Sequence, residues 1–294
     1  MIMTIQSKRD KNQNSSKLHL DKYYTSDETA QHCIDIARKI LKGENITEVI
    51  EPSAGNGVFS KKINNCIAYD LEPEDDAVTK QDFLLLDIPY KKGRLFIGNP
   101  PYGSRNNLAK SFCDKSFELG DYVAFILPIS QLNNTVSIYK FDLVYSEDLG
   151  KMDYSGKSVH CCFNIYKRPE NGKFNSSNRF KNSEILEILE IRESIKNKNP
   201  KRNKIVSVFD YDIAICAWCA SIGKEIEREG QFVKEFYIKV KDEKHKFNIL
   251  RLLKSVNWEG VYPMTATPNL LHWQVYKYIE ENYNKSNLLS YDGE

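Results

Sequence analysis

The chain has 294 residues, 41% of them hydrophobic, and a formal net charge of +2, so it can bury the core of one large domain or of a large and a smaller one. No apolar run approaches the roughly 18 residues of a membrane span, and the start of the chain lacks a secretory apolar stretch. The seven cysteines are odd in number and scattered, which argues against a disulfide framework. We therefore expect a cytoplasmic protein with no membrane partner.

The first part of the chain predicts an α/β fold. Residues 1–17 are rich in Lys, Asn, Gln and Ser and predict a mobile arm. Ser26 is predicted to cap a helix whose apolar positions repeat at helical spacing until Gly43, and a second helix is predicted from Asn106 to Leu119. The predicted strands are 47–50, 66–69, 95–97, 122–127, 141–145 and 159–166. This alternation, over residues 18–167, is typical of a parallel sheet covered on both faces.

The composition changes after Lys167. The segment that follows is polar and punctuated by Gly and Pro, which predicts a domain boundary. Residues 168–294 are predicted to form a smaller, mostly helical domain. Its amphipathic helices are predicted at 183–195, 211–228, 242–255 and 268–283. Cys216 and Cys219 lie in an apolar stretch with no second pair at metal spacing, so we expect core packing there rather than zinc.

Positive charge is concentrated just after this boundary. Between Arg168 and Lys204 there are ten Lys or Arg residues against five Glu, and the run includes Lys198, Lys201 and Arg202. Such a segment can neutralise phosphates, which is the sequence-independent part of nucleic-acid binding. A solvated basic loop explains the same charges, so this segment alone does not decide between the two.

A stiff turn, Asn99-Pro100-Pro101-Tyr102, follows the predicted strand that ends at Gly98. The side-chain oxygen of Asn99 and the carbonyl of Pro100 can accept the two hydrogens of an amino group. Their dipoles then face the positive charge that develops as the nitrogen is methylated. Tyr102 offers a ring on which a base lifted out of its helix can stack. A turn with no chemical role fits four residues equally well, so the neighbouring motifs have to decide.

A glycine-rich turn, Glu51-Pro52-Ser53-Ala54-Gly55-Asn56-Gly57, follows the first predicted strand and is expected to open a helix. Glycine lets the backbone approach a ligand closely and adopt positive φ. Ser60 stands where a dinucleotide fingerprint has its third glycine, so the match to a nicotinamide dinucleotide site is incomplete. A carboxylate at Glu51 can hold a cationic amine, which fits an amino-acid-like ligand better than a pyrophosphate.

Asp70 follows the second predicted strand, and Asp82 follows a short polar stretch beyond it. Asp70 is placed to accept hydrogen bonds from ribose hydroxyls, while Asp82 can accept one from an adenine amino group and Phe83 can pack on the ring. Taken singly, each acid is more often a surface or capping residue. Their order supports a ligand site, because these motifs fall at the carboxyl ends of successive strands, where open α/β sheets bind ligands.

These motifs, in this order, resemble the S-adenosylmethionine-dependent DNA adenine-N6 methyltransferases of restriction-modification systems, over about residues 22–167. The resemblance implies a Rossmann-like methyltransferase fold, with a mostly parallel seven-stranded sheet that contains one antiparallel strand. It implies S-adenosylmethionine as cofactor, S-adenosylhomocysteine as product and no metal. It also implies a prokaryotic or phage-encoded protein that binds double-stranded DNA and can share its site with a cognate restriction endonuclease.

The same resemblance implies roles for individual residues. The stretch with Ser53, Ala54, Gly55 and Gly57 would bind the methionine part together with Glu51, and the motif of Tyr24 and Thr25 would add cofactor contacts. Asp70 would bind ribose, Asp82 and Phe83 the adenine, and Asn99 to Tyr102 the target amine. In the family's amino-terminal motif a proline stands where this chain has Ser26, which weakens the match there.

The resemblance places target recognition after Lys167, where Lys198, Lys201 and Arg202 would contact DNA, and it places Phe163 near the flipped base. A plain core strand explains Phe163 equally well. Two alternatives remain open for function. One is methylation of an RNA adenine or a protein glutamine amide by the same fold, and the other is a non-catalytic DNA-binding partner that retains the fold.

Overall fold

The structure is a computed structural model that describes residues 24–154, 157–177, 180–192, 209–262 and 268–289. The predicted mobile arm, residues 1–17, lies outside the described residues, and so do Lys198, Lys201 and Arg202. Within the described ranges, no helix is both long and apolar enough to cross a membrane.

A seven-stranded sheet forms the first domain, in the order β3-β2-β1-β4-β5-β7-β6. Its strands are β1 Glu48–Glu51, β2 Ile67–Asp70, β3 Thr79–Lys80, β4 Arg94–Gly98, β5 Tyr122–Pro128, β6 Asp142–Tyr154 and β7 Lys157–Lys167. The first five strands pair in parallel, and β7 runs antiparallel to both of its neighbours. This is the Rossmann-like methyltransferase fold that the resemblance implies, and the six predicted strands are confirmed.

The central strands read as continuous apolar runs because both faces of the sheet are covered. Every residue of β4 and β5 is buried. Helix α1, Asp27–Ile40, begins where predicted, since the Ser26 hydroxyl accepts the Thr29 N–H at 3.1 Å. Helix α2, Asn107–Leu119, follows the Asn-Pro-Pro-Tyr turn after one 3-10 turn, Ser104–Asn106, and packs its buried face on the sheet.

The helix predicted after the glycine-rich turn is wrong. Only one short 3-10 turn, Ser60–Lys62, separates that turn from β2. Asn64 and Asn65 have low helix propensity, and Asn65 adopts a left-handed φ of 57°, which ends any helical path. The carboxyl end of β1 is therefore joined to β2 by a compact loop.

Within the described residues after Lys167, the second domain is an antiparallel three-stranded sheet covered by helices. Its strands, in the order β8-β10-β9, are β8 Leu186–Arg192, β9 Ile213–Cys216 and β10 Lys234–Val240. Its helices are α3 Lys246–Ser255, α4 Trp258–Val261 and α5 His272–Leu289. The predicted helices at 242–255 and 268–283 are confirmed, whereas the segments predicted as helices at 183–195 and 211–228 contain β8 and β9. The expectation of a mostly helical domain is corrected accordingly.

The misread strand β8 buries apolar side chains on both faces of its sheet. Leu186 and Ile188 pack in the cluster beneath the helices, and Leu189 and Ile191 pack in a second cluster with Tyr237. Apolar residues needed on two faces of a strand produce the same spacing as one broad face of a helix. The pairing with β10, along the whole length of β8, decides for the strand.

Candidate active site

A cavity of about 280 Å³ lies at the carboxyl ends of β1, β2 and β4. Eleven residues that the sequence singled out line it: Tyr24, Thr25, Glu51, Ser53, Ala54, Gly55, Asp70, Asp82, Phe83, Asn99 and Pro101. They come from five separate segments of the chain, which the parallel sheet brings to one edge. The remaining lining adds apolar side chains, including Leu108 and Phe112 of α2.

Four other predicted site residues do not line this cavity: Gly57, Pro100, Tyr102 and Phe163. The Tyr102 side chain is 5% exposed, and its hydroxyl lies 3.3 Å from the sulfur of Cys161. Phe163 is fully buried in the core on β7. A base could stack on Tyr102 only if that ring left the core. Phe163 lies in the core, which is the position that the apolar pattern of its strand also predicts.

The glycine-rich turn is held across the end of the neighbouring strand. Gly55 has a left-handed φ of 54°, and its N–H donates to the carboxylate oxygen Oδ2 of Asp70 at 2.7 Å. The Ala54 N–H donates to the carbonyl of Tyr69 at 2.9 Å, and the Gly57 N–H closes the turn on the carbonyl of Ala54 at 2.7 Å. The backbone that faces the cavity is therefore fixed before any ligand arrives.

Glu51 is the most deeply buried acid of the site. Its carboxylate oxygen Oε2 accepts the Ser60 N–H at 2.7 Å. Burial raises the pKa of Glu51 to about 7, and the negative charge of Asp70 adds to the increase. Burial makes the ionised form of this carboxyl group costly. A cationic group in the cavity would offset that cost by its attraction to the carboxylate and would favour its ionisation.

Asp70 and Asp82 also shape the loops that carry them. Oδ1 of Asp70 accepts the Glu72 N–H at 2.8 Å, and Oδ1 of Asp82 accepts the Leu84 N–H at 2.9 Å. Phe83 is 1% exposed and completes an apolar wall, because its ring centroid lies 5.5 Å from that of Phe96. Both acids thus present a carboxylate on a fixed turn beside an apolar surface.

Two hydrogen bonds join the Asn-Pro-Pro-Tyr turn to the glycine-rich turn and to the segment before α1. The Ser53 hydroxyl donates to the main-chain carbonyl of Asn99 at 3.2 Å. The side-chain amide nitrogen of Asn99 donates to the hydroxyl oxygen of Thr25 at 3.1 Å. Since the amide nitrogen is directed to Thr25, the side-chain oxygen of Asn99 points the other way. Thr25, which the sequence indicated only as a cofactor contact, therefore also orients Asn99.

Sequence reasoning missed two features of the cavity wall. Glu74 lines the cavity and accepts a hydrogen bond from the Tyr24 hydroxyl at 2.5 Å, and Gln81 lines it beside Asp82. Glu74 lies in an acidic run with no periodic signal, so nothing in the sequence distinguished it from a surface acid. Within the part of the chain that the structure describes, no three or more His, Cys, Asp or Glu side chains are placed to hold a metal ion.

No family model and no curated protein matches the chain. Among solved structures, a candidate RNA methyltransferase, PH1948 from Pyrococcus horikoshii, is similar at 18% identity and a TM-score of 0.42, over 53% of this chain and 90% of that one. The 23S rRNA methyltransferase ErmE is similar at 15% identity and a TM-score of 0.38, over 51% and 70%. The N-methyltransferase NodS from Bradyrhizobium japonicum WM9, in complex with S-adenosyl-L-homocysteine, is similar at 14% identity and a TM-score of 0.32, over 56% and 98%.

The class of fold follows from the sheet itself. A parallel order β3-β2-β1-β4-β5, closed by the reversed strand β7 between β5 and β6, defines a Rossmann-like methyltransferase fold. The cavity lies at the ligand-binding edge of that sheet.

Proposed function

We propose that this protein transfers a methyl group from S-adenosylmethionine to N6 of a flipped adenine in duplex DNA. One observation carries the proposal. A single cavity joins the glycine-rich turn, the acids Asp70 and Asp82, and Asn99 of the Asn-Pro-Pro-Tyr turn. A methyl donor bound along the glycine-rich turn, Asp70 and Asp82 would present its methyl group toward Asn99.

The charge of the cavity supports this cofactor over one that carries phosphate. Five acidic residues line it, and no Lys or Arg of the described chain does: the acids are Glu51, Asp70, Glu72, Glu74 and Asp82. A pyrophosphate would be repelled by such a lining, whereas a ligand with an ammonium and a sulfonium group would be attracted.

The chemical groups of the cavity fit S-adenosylmethionine part by part. Glu51 would hold the amino group of the methionine moiety, and the turn at Ser53 to Gly55 would allow its close approach. Asp70 would accept from the ribose hydroxyls. Asp82 would accept from the adenine amino group, with Phe83 against the ring. When bound, this cofactor supplies a methyl group that its sulfonium has already made electrophilic.

The protein's contribution is to position and expose the target nitrogen. The lone pair of an exocyclic amine is delocalised into the base. The Asn99 side-chain oxygen accepts one of the amine hydrogens and draws that lone pair out of conjugation. The Pro100 carbonyl, which does not line the cavity, would accept the second only once the base has entered the turn. Thr25 holds the amide of Asn99 in the required direction, and the two prolines keep the turn stiff. Once methylated, the nitrogen is acidic enough to lose its proton to water or a nearby acceptor.

Two features of the second domain favour a nucleic-acid substrate over a protein. The segment after Arg168 carries the excess of basic residues described above. On helix α3, Phe247, Arg251 and Lys254 recur at helical spacing on an exposed face, and Phe247 is 77% exposed. An aromatic ring beside cations on a helix surface is suited to bases and phosphates.

A substrate assay tests the proposal directly. Purified protein with isotope-labelled S-adenosylmethionine is offered duplex DNA, RNA of the same sequence, or protein, and the product nucleosides are identified by mass spectrometry. We expect label in DNA, as N6-methyladenine. Transfer only to RNA or protein would replace the proposed substrate, and failure to bind the cofactor would reject the proposed activity.

Substitution of Asn99 tests the assigned role. Asn99→Ala is expected to lower the rate of transfer by about 100-fold or more, while the dissociation constant of the cofactor changes little. Asn64→Ala, at an exposed position in the loop before β2, is the matched control and should behave as the parent protein. Equal loss of cofactor binding and transfer in Asn99→Ala would contradict a role at the target amine.

A further inference from the structure

A second pocket, of about 220 Å³, lies beside the Asn-Pro-Pro-Tyr turn, at the carboxyl ends of β4 and β5. It is lined by Asn106, Asn107 and Lys110 at the start of α2, and by Gln131 and Ser137 in the segment that follows β5. Most of these side chains are polar. No step of the proposed mechanism uses this pocket.

Gln131 is the unusual residue of this pocket. Its side chain is 7% exposed, yet its buried oxygen Oε1 accepts no hydrogen bond from the described residues. Buried polar atoms in proteins nearly always have a partner, because an unmet acceptor has lost its water without replacement. A ligand that donates an N–H in this pocket would provide the missing partner.

Lys110 supplies a positive charge at the same pocket. Its side chain is exposed, and the acid one turn further along α2, Asp114, pairs with Lys140 at 2.9 Å. The backbone N–H groups at the start of α2 do not add an anion site, since those of Leu108 and Ala109 donate to the carbonyl of Tyr102. Attraction for an anion must therefore come from the ammonium group of Lys110.

Helix α2 separates this pocket from the cofactor cavity. Leu108 and Phe112, one turn apart, line the cavity, whereas Asn106 and Lys110, also one turn apart, line the pocket. The pocket therefore opens from the opposite face of the helix that follows the target-amine turn. Asn106, at the edge of the pocket, follows Tyr102 by four residues, so a short length of chain joins the pocket to the Asn-Pro-Pro-Tyr turn.

We infer that the pocket binds a nucleotide of the substrate DNA that neighbours the flipped adenine. Its base would donate an exocyclic amino hydrogen to Oε1 of Gln131, and its phosphate would lie near Lys110. This inference rests on the proposed function for the identity of the substrate. Because the side chain of Lys110 is exposed, the phosphate would lie at the rim of the pocket, with the base within it.

Binding of a short duplex, measured by fluorescence anisotropy without cofactor, tests the inference. Gln131→Met keeps the size of the side chain and removes the unmet acceptor. It is expected to weaken DNA binding about tenfold while leaving the melting temperature unchanged or higher. Lys110→Ala should weaken binding and reduce the slope of log affinity against log salt by about one. Lys115→Ala, on the same helix but outside the pocket, is the control and should bind as the parent does.

Three results would overturn the inference. One is parental DNA binding by both Gln131→Met and Lys110→Ala, and another is a lowered melting temperature in Gln131→Met, which would make Gln131 a structural residue. The third is that the pocket variants bind RNA more weakly than the parent does but show no weakening of DNA binding. The outcome is separable from that of the proposed function, because DNA binding is measured without methyl transfer. If the parent protein binds DNA without methylating it, and the pocket variants lose that binding, the inference about the pocket stands and the proposed activity is rejected.

Discussion

The side-chain amide of Asn99 donates to the hydroxyl of Thr25 across 3.1 Å, although the two residues are 74 positions apart in the chain. This hydrogen bond sets the direction of the Asn99 side-chain oxygen. It therefore links the segment before α1 to the geometry of the Asn-Pro-Pro-Tyr turn.

Thr25→Val removes this hydroxyl and keeps the shape of the side chain. We expect the turnover rate to fall about tenfold, because the Asn99 amide can then rotate away from its working direction. Thr25→Ser, which retains the hydroxyl, should keep most of the activity. Single-turnover kinetics at saturating cofactor would measure the difference. Equal rates for the two variants would show that the hydrogen bond does not orient Asn99.

Cofactor affinity is expected to depend on the ionisation of Glu51. Burial raises the pKa of this carboxyl to about 7, so most of it is neutral in mildly acidic solution and cannot pair with an ammonium group. Affinity for S-adenosylmethionine, measured by calorimetry, should therefore rise with pH up to about 7 and then level off. In Glu51→Gln the rise should be absent. A parent-like pH profile in that variant would assign the titration to another group.

The same group should influence stability without cofactor, with the opposite dependence on pH. The folded pKa of about 7 lies above the ordinary value of 4.5, so between these values the folded protein binds more protons than the unfolded chain. The contribution of Glu51 to the free energy of unfolding should therefore decline as pH rises from 4.5 to about 7. Comparison of urea unfolding curves for the parent protein and Glu51→Gln across that range measures this effect.

The exposed face of α3 is expected to contact DNA. The double variant Phe247→Ala and Arg251→Ala should weaken binding of a short duplex by about tenfold or more. Its melting temperature should stay near that of the parent, because Phe247 is 77% exposed and contributes little to the core. Leu85→Ala, at an apolar position that is 64% exposed in the first domain, is the control. Unchanged DNA affinity in the double variant would remove this face from the interface.

Lys234 is expected to be important for the stability of the second domain. Its side chain is fully buried on β10, donates to the Asn269 side-chain oxygen at 2.8 Å and also donates to the Leu270 carbonyl. Lys234→Met would remove both of these hydrogen bonds together with the buried charge, and we expect the free energy of unfolding to fall by about 3 kcal/mol. Lys239→Met, on the same strand but paired with Asp210 near the surface, should change it far less, because solvent screens that ion pair. Urea unfolding monitored by circular dichroism compares the two variants, and equal effects would contradict the buried role of Lys234.

Burial lowers the pKa of Lys234 to about 8, which adds a dependence on pH. Between that value and the ordinary 10.5, the unfolded chain binds more protons than the folded protein. The contribution of Lys234 to stability should therefore increase as pH rises through this range, and Lys234→Met should lack the increase.

Local sequence patterns were sufficient for six strands of the sheet and for the order of the motifs along it, whereas β3, with two residues, is too short to show a pattern. Apolar runs such as those of β4 and β5 predict buried strands, and the motifs at Gly55, Asp70 and Asn99 follow strand ends. Parallel strands carry their carboxyl ends to one edge, so the order of motifs alone predicted that they would meet. The hydrogen bond from the Ser53 hydroxyl to the Asn99 carbonyl joins two segments that follow such strand ends.

Tertiary packing decided what local patterns leave open. The spacing of apolar residues in β8 fits a helix or a two-faced strand, and pairing with β10 selects the strand. Tyr102 has the same neighbours in sequence whether its ring faces a ligand or the core, and its contact with Cys161, 59 residues away, places it inside. The partner of Asn99 and the unmet acceptor of Gln131 likewise depend on segments that are distant in the chain. Burial and hydrogen-bond partnership arise only when such segments meet, and no short stretch of sequence contains that information.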